Sequence, residues 1–298
     1  MASSNPSASN NADFQLGEVF NVKNKVALVT GGGSGIGLMA VQALAVNGAK
    51  VYIVDRTEEK LERVVEIHGK GIAGQLIPIQ ADISKKDDIK RLVKEIESKE
   101  KCLCILINNA GISGATQKPE GKDATELRKN LFEAENSTFE DWTNTYRTNV
   151  AQIYFMTTAF LPLLQAASKH QYGYSGTVLN ISSISGLVRK SQSHFSYNAS
   201  KAAAIHLTKL LATEIAENGL KIRVNSIAPG VFPSEMTAND SAENQKSSLP
   251  KEKFQQIPAG RPGNDRDMAN AVLFAVTNQY LNGQTIPVDG GYLIHEGQ

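Results

Sequence analysis

Tyr197 and Lys201 stand four residues apart in the stretch HFSYNASKAA (194–203), whose other residues are mostly small or compatible with a helix. On a helix, residues i and i+4 share one face and lie about 6 Å apart along the axis, so the phenol and the ammonium project side by side. A free phenol has a pKa of about 10, and a nearby ammonium favours the phenolate. The pair could therefore move a proton near neutral pH. The alternative is an ordinary polar face of a helix.

A second candidate feature is the glycine-rich turn TGGGSGIG (30–37), which follows an apolar run. Glycine lets the backbone turn tightly and approach a pyrophosphate, and a helix N-terminus offers free N–H donors. The spacing is G-x-x-x-G-x-G, which differs from the general G-x-G-x-x-G fingerprint. A purely structural tight turn is the alternative. The candidate cofactor-binding residues of this turn are Gly31, Ser34, Gly35, Ile36 and Gly37.

The second apolar strand ends in Asp55, 18 residues after Gly37. A carboxylate there can accept hydrogen bonds from both hydroxyls of an adenosine ribose and would repel a 2′-phosphate, which favours NAD over NADP. Asp55 could instead cap the following helix, but Thr57 could serve as that cap and leave Asp55 free. Arg56 keeps NADP open, because a guanidinium there could bind a 2′-phosphate.

These residues belong to a regular alternation of apolar strands and helix-length segments from residue 22 onward. The alternation predicts an α/β fold with a parallel sheet covered by helices on both faces. Two long polar connections, 113–138 and 231–263, follow carboxyl ends of strands, where ligands bind in such sheets. For the first of them, a solvated surface insertion is an equal alternative. Strands are predicted at 25–30, 50–55, 75–80, 102–109, 176–183, 221–228 and 283–289, with helices over about 139–166 and 195–218.

The chain of 298 residues is long enough for one large domain, predicted at 22–298 after a Ser/Asn-rich tail, 1–21, that is predicted to be disordered. Lys and Arg number 31 against 30 Asp and Glu, which argues against a nucleic-acid partner. No apolar run approaches the roughly 20 residues that span a bilayer, so no membrane partner is expected. The N-terminus lacks the features of a secretory signal.

The cysteine and histidine residues argue against a disulfide-stabilised scaffold and against a metal site. Cys102 and Cys104 lie two apart in a predicted strand, where they suit buried small hydrophobes better than a disulfide. With no other cysteine, a disulfide scaffold is excluded and a reducing, cytoplasmic location is expected. The five histidines show no metal-ligand spacing, so no metal site is predicted.

Six motifs occur in a fixed order, and together they make the chain resemble the short-chain dehydrogenase/reductase family. The resemblance covers residues 22–294 and extends to the 3-oxoacyl-thioester reductase-like branch of the family. It implies a three-layer Rossmann fold with a seven-stranded sheet, a small-molecule substrate, and assembly as a homodimer or homotetramer. The motifs are TGGGSGIG (30–37), NNAG (108–111), TNV (148–150), NISS (180–183), YNASK (197–201) and APG (228–230).

The resemblance also implies catalytic roles. Tyr197 would be the general acid and base, and Ser183 would hydrogen-bond the same substrate oxygen. Ser182 is the less suitable donor, because successive strand residues face opposite ways. Lys201 would bind the nicotinamide ribose and tune Tyr197, and Asn149 would hold a water through its backbone carbonyl.

For the cofactor, the resemblance implies contacts along the carboxyl ends of the strands. Asp82 would meet the adenine amino group, and Ser234 stands where the family often has threonine. The implied contacts, in addition to the glycine-rich turn, Asp55, Arg56, Tyr197 and Lys201, are Asp82, Ile83, Asn109, Ala110, Gly111, Pro229, Gly230, Phe232 and Ser234.

These features together predict an NAD(P)-dependent oxidoreductase that interconverts a secondary alcohol and a ketone, with a 3-oxoacyl or another hydrophobic keto compound as substrate. A partly hydrophobic pocket is expected from Leu187, Val188, Phe195, Phe232, Met236 and Leu249. Two alternatives stay open from sequence: a redox-neutral enzyme such as a dehydratase or cyclase, and a cofactor-binding regulatory protein on the same scaffold.

Overall fold

Seven apolar segments form a single parallel sheet in the computed structural model, which describes residues 11–170, 173–238, 241–250, 254–255 and 257–296. The sheet order is β3-β2-β1-β4-β5-β6-β7. All residues of the central strands β4, β5 and β6 are buried, as expected for a sheet covered on both faces. The strands are β1 (Val26–Thr30), β2 (Lys50–Asp55), β3 (Gln75–Gln80), β4 (Ile105–Asn108), β5 (Gly176–Ile181), β6 (Ile222–Pro229) and β7 (Thr285–Val288).

The order of the strands reverses beside β1, which pairs with β2 on one side and with β4 on the other. Val29 lies opposite Ile53 in β2 and opposite Ile107 in β4. At such a reversal the connections leave the sheet in opposite directions, and a crevice opens beyond the carboxyl ends of the strands.

Helices cover both faces of the sheet, which confirms the predicted three-layer α/β Rossmann fold. Side chains of α2, α3 and α11 form one core cluster with one face of the strands, and those of α4, α7, α8 and α9 form another with the opposite face. The helices are α1 (Leu16–Val19), α2 (Gly35–Val46), α3 (Glu58–His68), α4 (Lys86–Lys99), α5 (Ala124–Leu131), α6 (Phe139–Tyr146), α7 (Gln152–Ala159), α8 (Leu161–His170), α9 (Phe195–Glu217), α10 (Glu235–Ala238), α11 (Asp265–Thr277) and α12 (Tyr292–Glu296).

The helix predicted over 139–166 is divided. A π-helical turn, Arg147–Ala151, separates α6 from α7, and α8 leaves the preceding helical segment at an angle of 51°. Pro162 lies at the start of α8, and it has no N–H to continue the hydrogen-bond ladder from α7. In contrast, α9 matches its prediction closely and ends before Gly219, which has a φ of +71°.

The two predicted long connections each contain a short helix. Helix α5 lies within 113–138 and begins at Asp123, whose carboxylate accepts hydrogen bonds from the backbone N–H groups of Thr125 and Glu126. None of its residues is buried, so α5 lies on the surface of the domain. Helix α10 lies within 231–263.

The N-terminal segment differs in part from the predicted disordered tail. Residues 11–14 form a 3₁₀ turn and α1 follows it, with no buried residue in either. The first ten residues lie outside the part of the chain that the structure describes. Val22, at the predicted start of the domain, is buried.

Cys102 and Cys104 are both buried, as the sequence predicts, and they are not joined to each other by a disulfide. Among the described residues no group of three or more metal-ligating side chains comes together. No single described helix is long and apolar enough to cross a membrane, although the bent pair Phe139–Ala159 and Leu161–His170 meets length and composition criteria together.

Candidate active site

A cavity of about 480 Å³ opens at the carboxyl ends of the strands, where the crevice is expected. It collects side chains from the turn after β1, the ends of β2 to β5, and helices α9 and α10. The predicted site residues that line it are Gly31, Ser34, Gly35, Ile36, Asp55, Arg56, Asp82, Ile83, Asn109, Ala110, Gly111, Tyr197, Lys201 and Ser234.

The glycine-rich turn needs its glycines for two different reasons. Gly31 and Gly35 have φ values of +63° and +53°, a backbone region that residues with a Cβ atom rarely adopt. Gly37 lies so close to the backbone that a Cβ atom on it would sit 2.0 Å from the Gly31 carbonyl oxygen. Ser34 occupies the N-cap position of α2 without capping it by its side chain. The first N–H groups of α2 therefore face the cavity without a side-chain acceptor from Ser34.

Asp55 is engaged on one of its two carboxylate oxygens. Its Oδ1 accepts hydrogen bonds from the backbone N–H of Arg56 at 2.7 Å and of Thr57 at 3.3 Å. Thr57 is the N-cap residue of α3 but makes no side-chain capping bond. Thr57, and not Asp55, therefore occupies the N-cap position, as the sequence predicts, and Oδ1 of Asp55 orders the backbone before the cap. The second oxygen, Oδ2, accepts no hydrogen bond from any residue that the structure describes and lies toward Gly33.

Asp82 and Asn109 order the backbone around the cavity. The Asp82 carboxylate accepts hydrogen bonds from the backbone N–H and the hydroxyl of Ser84, at 3.1 and 2.7 Å. Burial tends to raise the pKa of Asp82, but the Ser84 hydrogen bonds and the nearby Lys85 ammonium outweigh it and lower that pKa. The Asn109 amide donates to the carbonyl oxygens of Thr30 and Gly31, both at 3.0 Å, and so fixes the start of the glycine-rich turn.

Tyr197 and Lys201 line the inner end of the cavity, and Ser183 lies near Tyr197 without itself lining the cavity, whereas its neighbour Ser182 does. Ser183 follows β5, and its hydroxyl accepts a hydrogen bond from the Ser185 N–H at 3.1 Å. The Lys201 ammonium is buried, donates to the Ile181 carbonyl oxygen at 3.0 Å and lies 5.6 Å from the centre of the Tyr197 ring. The first turns of α9 and the end of β5 thus bring all three polar groups to one place.

The pKa values of this group differ from the expectation drawn from sequence. Burial raises the pKa of Tyr197, and a hydrogen bond with Ser183 acts in the opposite direction but does not cancel it. Burial also lowers the pKa of Lys201 to about 8. The predicted depression of the Tyr197 pKa by Lys201 is therefore not found in the chain by itself, because desolvation of the phenol dominates.

Asn149 lies in the π-helical turn and makes no contact with the cavity through its side chain. Its amide donates to the Ile112 carbonyl and to the Ser200 hydroxyl, both at 2.9 Å, and its Oδ1 accepts from the Ile112 N–H at 2.9 Å. The side chain is thus fully used in joining the segment after β4 to α9. A π-turn widens the helix locally, which alters the pairing of nearby carbonyl groups.

The remaining predicted contacts lie around the end of β6. Phe232 does not present its ring to the cavity: the ring is 2% exposed and packs against Gly263, where a Cβ atom would lie 2.4 Å from it. This differs from the predicted side-chain contact, because the apolar core beneath the loop offers the ring a drier place. Gly230 packs against Asp289, and neither Pro229 nor Gly230 lines the cavity.

Several residues that line the cavity are absent from the sequence prediction, among them Gln152, Lys60 and Glu235. The Gln152 amide donates to the Ala110 carbonyl oxygen, while its own buried Oε1 has no hydrogen-bond partner among the residues that the structure describes. No sequence pattern indicates Gln152, because the π-turn at Arg147–Ala151 interrupts the regular helical spacing from Asn149. Lys60 and Glu235 form an ion pair at the opposite end of the cavity, and no sequence pattern links them.

The apolar residues expected around the substrate divide into two groups. Met236 lines the cavity. Leu187 and Val188 pack with Tyr292 against a small buried cluster that follows Ser183. Trp142, Tyr146 and other side chains line a separate cavity between α4, α6 and α7, which the sequence did not predict.

Comparison with known proteins agrees with this geometry. A profile of the family described as short chain dehydrogenase matches residues 25–245. The short-chain dehydrogenase/reductase PhomF of Diaporthe leptostromiformis is 40% identical over 282 residues, covering 93% of this chain and 94% of the relative. The 3-oxoacyl-[acyl-carrier-protein] reductase FabG of Thermotoga maritima is 30% identical over 275 residues, covering 92% of this chain and 99% of the relative.

Two solved structures are similar over almost their full length. The Pseudomonas aeruginosa RhlG/NADP complex has a TM-score of 0.73 and 30% identity, covering 92% of this chain and 98% of that chain. A 7α-hydroxysteroid dehydrogenase complexed with NADH and 7-oxo glycochenodeoxycholic acid has a TM-score of 0.75 and 27% identity, with 95% and 98% covered. These matches confirm the resemblance drawn from the six motifs, and the chain belongs to the short-chain dehydrogenase/reductase family of oxidoreductases.

Proposed function

We propose that the protein interconverts a secondary alcohol and a ketone with a nicotinamide dinucleotide, and that Tyr197 is its general acid and base. The observation that carries this proposal is that Tyr197 and Lys201 line the same cavity as the glycine-rich turn. A proton-transfer group and a phosphate-binding turn in one cavity are what hydride transfer to or from a C–O carbon requires.

The residues present fit a dinucleotide. Gly31 and Gly35, with φ values of +63° and +53°, let the turn close tightly, and the first N–H groups of α2 would be donors to a pyrophosphate bound there. The unbonded Oδ2 of Asp55 can accept from a ribose hydroxyl at the end of β2. A bound nicotinamide would supply the hydride donor or acceptor, and the chain supplies everything that follows.

In the reducing direction, Tyr197 gives its hydroxyl proton to the ketone oxygen, which becomes the alcohol. Burial raises the pKa of Tyr197, so the phenol is held in the protonated form that this step needs. Ser183 donates a hydrogen bond to the same oxygen and stabilises its developing charge. In the oxidising direction the proton returns to Tyr197, and the positive charge of Lys201, which lies 5.6 Å from the ring, favours the phenolate.

NAD is the preferred cofactor in this proposal, with NADP not excluded. Asp55 carries a negative charge at the end of β2, where a 2′-phosphate would be repelled. The structurally similar proteins include one complexed with NADP and one with NADH, so the family likeness leaves the choice to the residues of this chain.

The substrate in this proposal is a small hydrophobic keto compound. Leu187 and Val188 form an apolar surface next to Ser183, and Met236 adds another from α10. The likeness to FabG, a 3-oxoacyl-[acyl-carrier-protein] reductase, makes a 3-oxoacyl compound one member of the panel to be tested. We also propose a homodimer or homotetramer, which Trp142, Tyr154 and Phe155 support because they expose aromatic surface on α6 and α7.

Purified protein should change the absorbance of NADH when mixed with a panel of ketones that includes 3-oxoacyl thioesters. Tyr197→Phe should lower kcat by about 10³-fold while the Kd for NADH stays the same, since only the transferable proton is lost. Tyr280→Phe is the matched control, because Tyr280 is fully exposed on the surface. Unchanged turnover in Tyr197→Phe would rule out the tyrosine mechanism, and NADH binding without any turnover would favour a binding or redox-neutral role.

The cofactor preference has its own test. Asp55→Ala should weaken the binding of NAD⁺ more than the binding of NADP⁺. The substitution removes both the hydrogen-bond acceptor for the ribose and the charge that repels the 2′-phosphate. Titration of each cofactor against wild type and variant measures the ratio of the two Kd values. An unchanged ratio would contradict the role assigned to Asp55.

A further inference from the structure

An ion pair joins the two sides of the cavity at its adenosine end. The Lys60 ammonium in α3 contacts both carboxylate oxygens of Glu235 in α10, at 2.8 and 2.7 Å. The two residues are 175 positions apart in the chain, and both line the cavity. Their side chains are 33% and 36% exposed, so the pair sits at the rim and stays partly in contact with water.

Lys60 stands beside the residue to which the ribose is assigned. A Cβ atom built on Gly33 would lie 3.3 Å from Oδ2 of Asp55 and 3.4 Å from Cβ of Lys60. The stem of Lys60 and the unbonded oxygen of Asp55 therefore lie on either side of one point above the glycine-rich turn. A flexible ammonium on a four-carbon stem rooted there can reach a phosphate on the neighbouring ribose hydroxyl.

Glu235 is held in place by the segment that carries it. The Thr237 hydroxyl donates to the Phe232 carbonyl at 2.7 Å and accepts from the Ser234 N–H at 2.9 Å. Ser234 in turn packs over Gly35, where a Cβ atom would lie 2.8 Å from the Ser234 Cβ. The carboxylate of Glu235 therefore reaches Lys60 from a folded turn that rests on the glycine-rich turn.

Four of the charged side chains that line the cavity, two negative and two positive, belong to the segments around Asp55 and the ion pair. Asp55 and Glu235 supply the negative charges, and Arg56 and Lys60 the positive ones. The Arg56 guanidinium makes no ion pair with any residue that the structure describes, whereas Lys60 is bound on both of the Glu235 oxygens. A 2′-phosphate, with a charge between about −1.5 and −2 near neutral pH, would compete with Glu235 for Lys60.

We propose that Glu235 withholds Lys60 from the 2′-phosphate of NADP, so that this ion pair, together with Asp55, selects NAD. The proposal rests on the proposed function, because it assigns the adenosine ribose to Asp55. NADP can recruit Lys60 only by breaking the pair, which leaves the Glu235 carboxylate unpaired beside the phosphate. NAD leaves the pair intact. The protein therefore discriminates between NAD and NADP through the ion pair of Lys60 and Glu235, without a direct contact between that pair and NAD.

The experiment measures equilibrium binding of NADH and NADPH from the fluorescence of the reduced nicotinamide, at one fixed ionic strength. It uses the full-length wild-type protein, Glu235→Gln, Lys60→Gln and the double variant. Glu95→Gln is the matched control: it removes the same charge from a similar ion pair, Glu95 with Lys99 at 2.7 Å, at the far end of α4 from the cavity. Thermal unfolding of each variant confirms that the partly exposed substitutions leave the fold intact.

Glu235→Gln should lower the Kd for NADPH relative to the Kd for NADH by about tenfold, because the freed Lys60 ammonium gains a charge-assisted hydrogen bond to the 2′-phosphate. Lys60→Gln should shift the ratio the other way, since it leaves Glu235 unpaired. The double variant should return close to the wild-type ratio, and Glu95→Gln should not change it.

An unchanged ratio in Glu235→Gln overturns the proposal, and so does a gain that persists in the double variant, because Lys60 would then not be its cause. Failure of the underlying function has a different signature: the wild-type protein would bind neither NADH nor NADPH. The two failures are therefore separated by the wild-type titration alone.

Discussion

At the scale of single residues, Ser182 and Ser183 show how the fold assigns different roles to neighbouring identical side chains. The Ser182 hydroxyl lies 2.6 Å from that of Ser226 and donates to the Ile227 carbonyl at 2.9 Å, so it ties β5 to β6. Ser183 is turned the other way, and its hydroxyl acts to lower the pKa of Tyr197. Alternation along an extended backbone is the cause, as the sequence predicts.

Ser183→Ala should therefore lower kcat by about 10²- to 10³-fold, the usual effect of losing one donor to a developing oxyanion, with little change in the Kd for NADH. Ser182→Ala should instead lower the free energy of unfolding by about 1 kcal/mol and have a far smaller effect on kcat. Steady-state kinetics and urea unfolding of both variants measure the contrast. Equal losses of kcat would contradict the assignment of Ser183.

Lys201 carries a pH dependence of stability that can be measured without substrate. Burial lowers its pKa from 10.5 to about 8. Between these two values the unfolded chain binds more protons than the folded chain, so the contribution of Lys201 makes stability rise with pH across that window. Across the whole window, this contribution raises the free energy of unfolding by about 3 kcal/mol.

The free energy of unfolding should accordingly rise by about 2 kcal/mol more in the wild-type protein than in Lys201→Met between about pH 8 and about pH 10. Lys201→Met has no ammonium to lose its proton, so its profile keeps only the contributions of other groups. Urea unfolding at several pH values gives both curves. Parallel curves would mean that Lys201 is not strongly desolvated.

At the scale of elements, the segment before α9 is held in an unusual conformation. Gln192 and Ser193 have φ values of +53° and +63°, although neither is glycine. Such residues persist only where the surroundings fix them. The Gln192 side chain accepts from the Ser185 hydroxyl at 2.9 Å and donates to the Tyr292 hydroxyl at 2.8 Å, so it joins the end of β5 to α12.

Helix α12 contributes a second tie to the same segment. Lys190 and Glu296 form an ion pair in which the Lys190 side chain is largely exposed. On the other side, the Asn198 amide donates to the Lys190 and Ser191 carbonyls and so fastens the segment to α9. The wall next to Ser183 and Tyr197 is thus shaped by contacts from the far end of the chain.

Tyr292→Phe should raise KM for the ketone by about threefold to tenfold, because the loss of one hydrogen bond lets the segment leave its strained conformation. The Kd for NADH should stay the same, since Tyr292 does not line the cofactor cavity. Tyr280→Phe on the exposed surface is the control. A change in NADH affinity, or no change in KM, would contradict the role given to α12.

At the scale of the whole molecule, α6 and α7 expose aromatic surface that a compact monomer does not need. Trp142, Tyr154 and Phe155 are 40%, 48% and 39% exposed. Trp142 and Phe155 also line the second cavity, of about 700 Å³, between α4, α6 and α7. Exposed aromatic side chains grouped around a cavity are typical of protein interfaces, which supports the proposed homo-oligomer.

Phe155→Glu should convert the oligomer to a monomer at micromolar concentration. An unpaired charge buried in an interface costs about 3 kcal/mol or more, which weakens a dimer by more than a hundredfold. Sedimentation velocity measures the change. Ile67→Glu in α3 is the control, since Ile67 is 40% exposed on the opposite face of the sheet. A wild-type protein that sediments as a monomer would contradict the proposed homo-oligomer.

The fold was predictable because its signals are local. The segments 50–55 and 75–80 match β2 and β3 residue for residue. The buried strand β2 reads as an apolar run, whereas the edge strand β3 was found from its place in the alternation of strands and helices. Errors came where local signals are weak or compete. Pro162 and the π-turn divide a helix that apolar periodicity joins, and α5 has no buried face to reveal it.

The sequence by itself determined the chemistry that depends on spacing within one element. Tyr197 and Lys201 share a helical face, the glycines form a tight turn before α2, and Ser182 and Ser183 point in opposite directions. Each of these follows from the fixed geometry of a helix, a turn or a strand, whatever surrounds it.

Only the tertiary structure decided contacts between distant elements and the environment of each charge. The pairing of Lys60 with Glu235, the burial of the Phe232 ring and the bridge from Gln192 to Tyr292 depend on how loops fold over the sheet. The pKa of Tyr197 was mispredicted for the same reason, because helical spacing reports its distance from Lys201 but not its desolvation. Spacing is fixed by the backbone of one element, whereas burial and pairing are set by all the elements that pack around it.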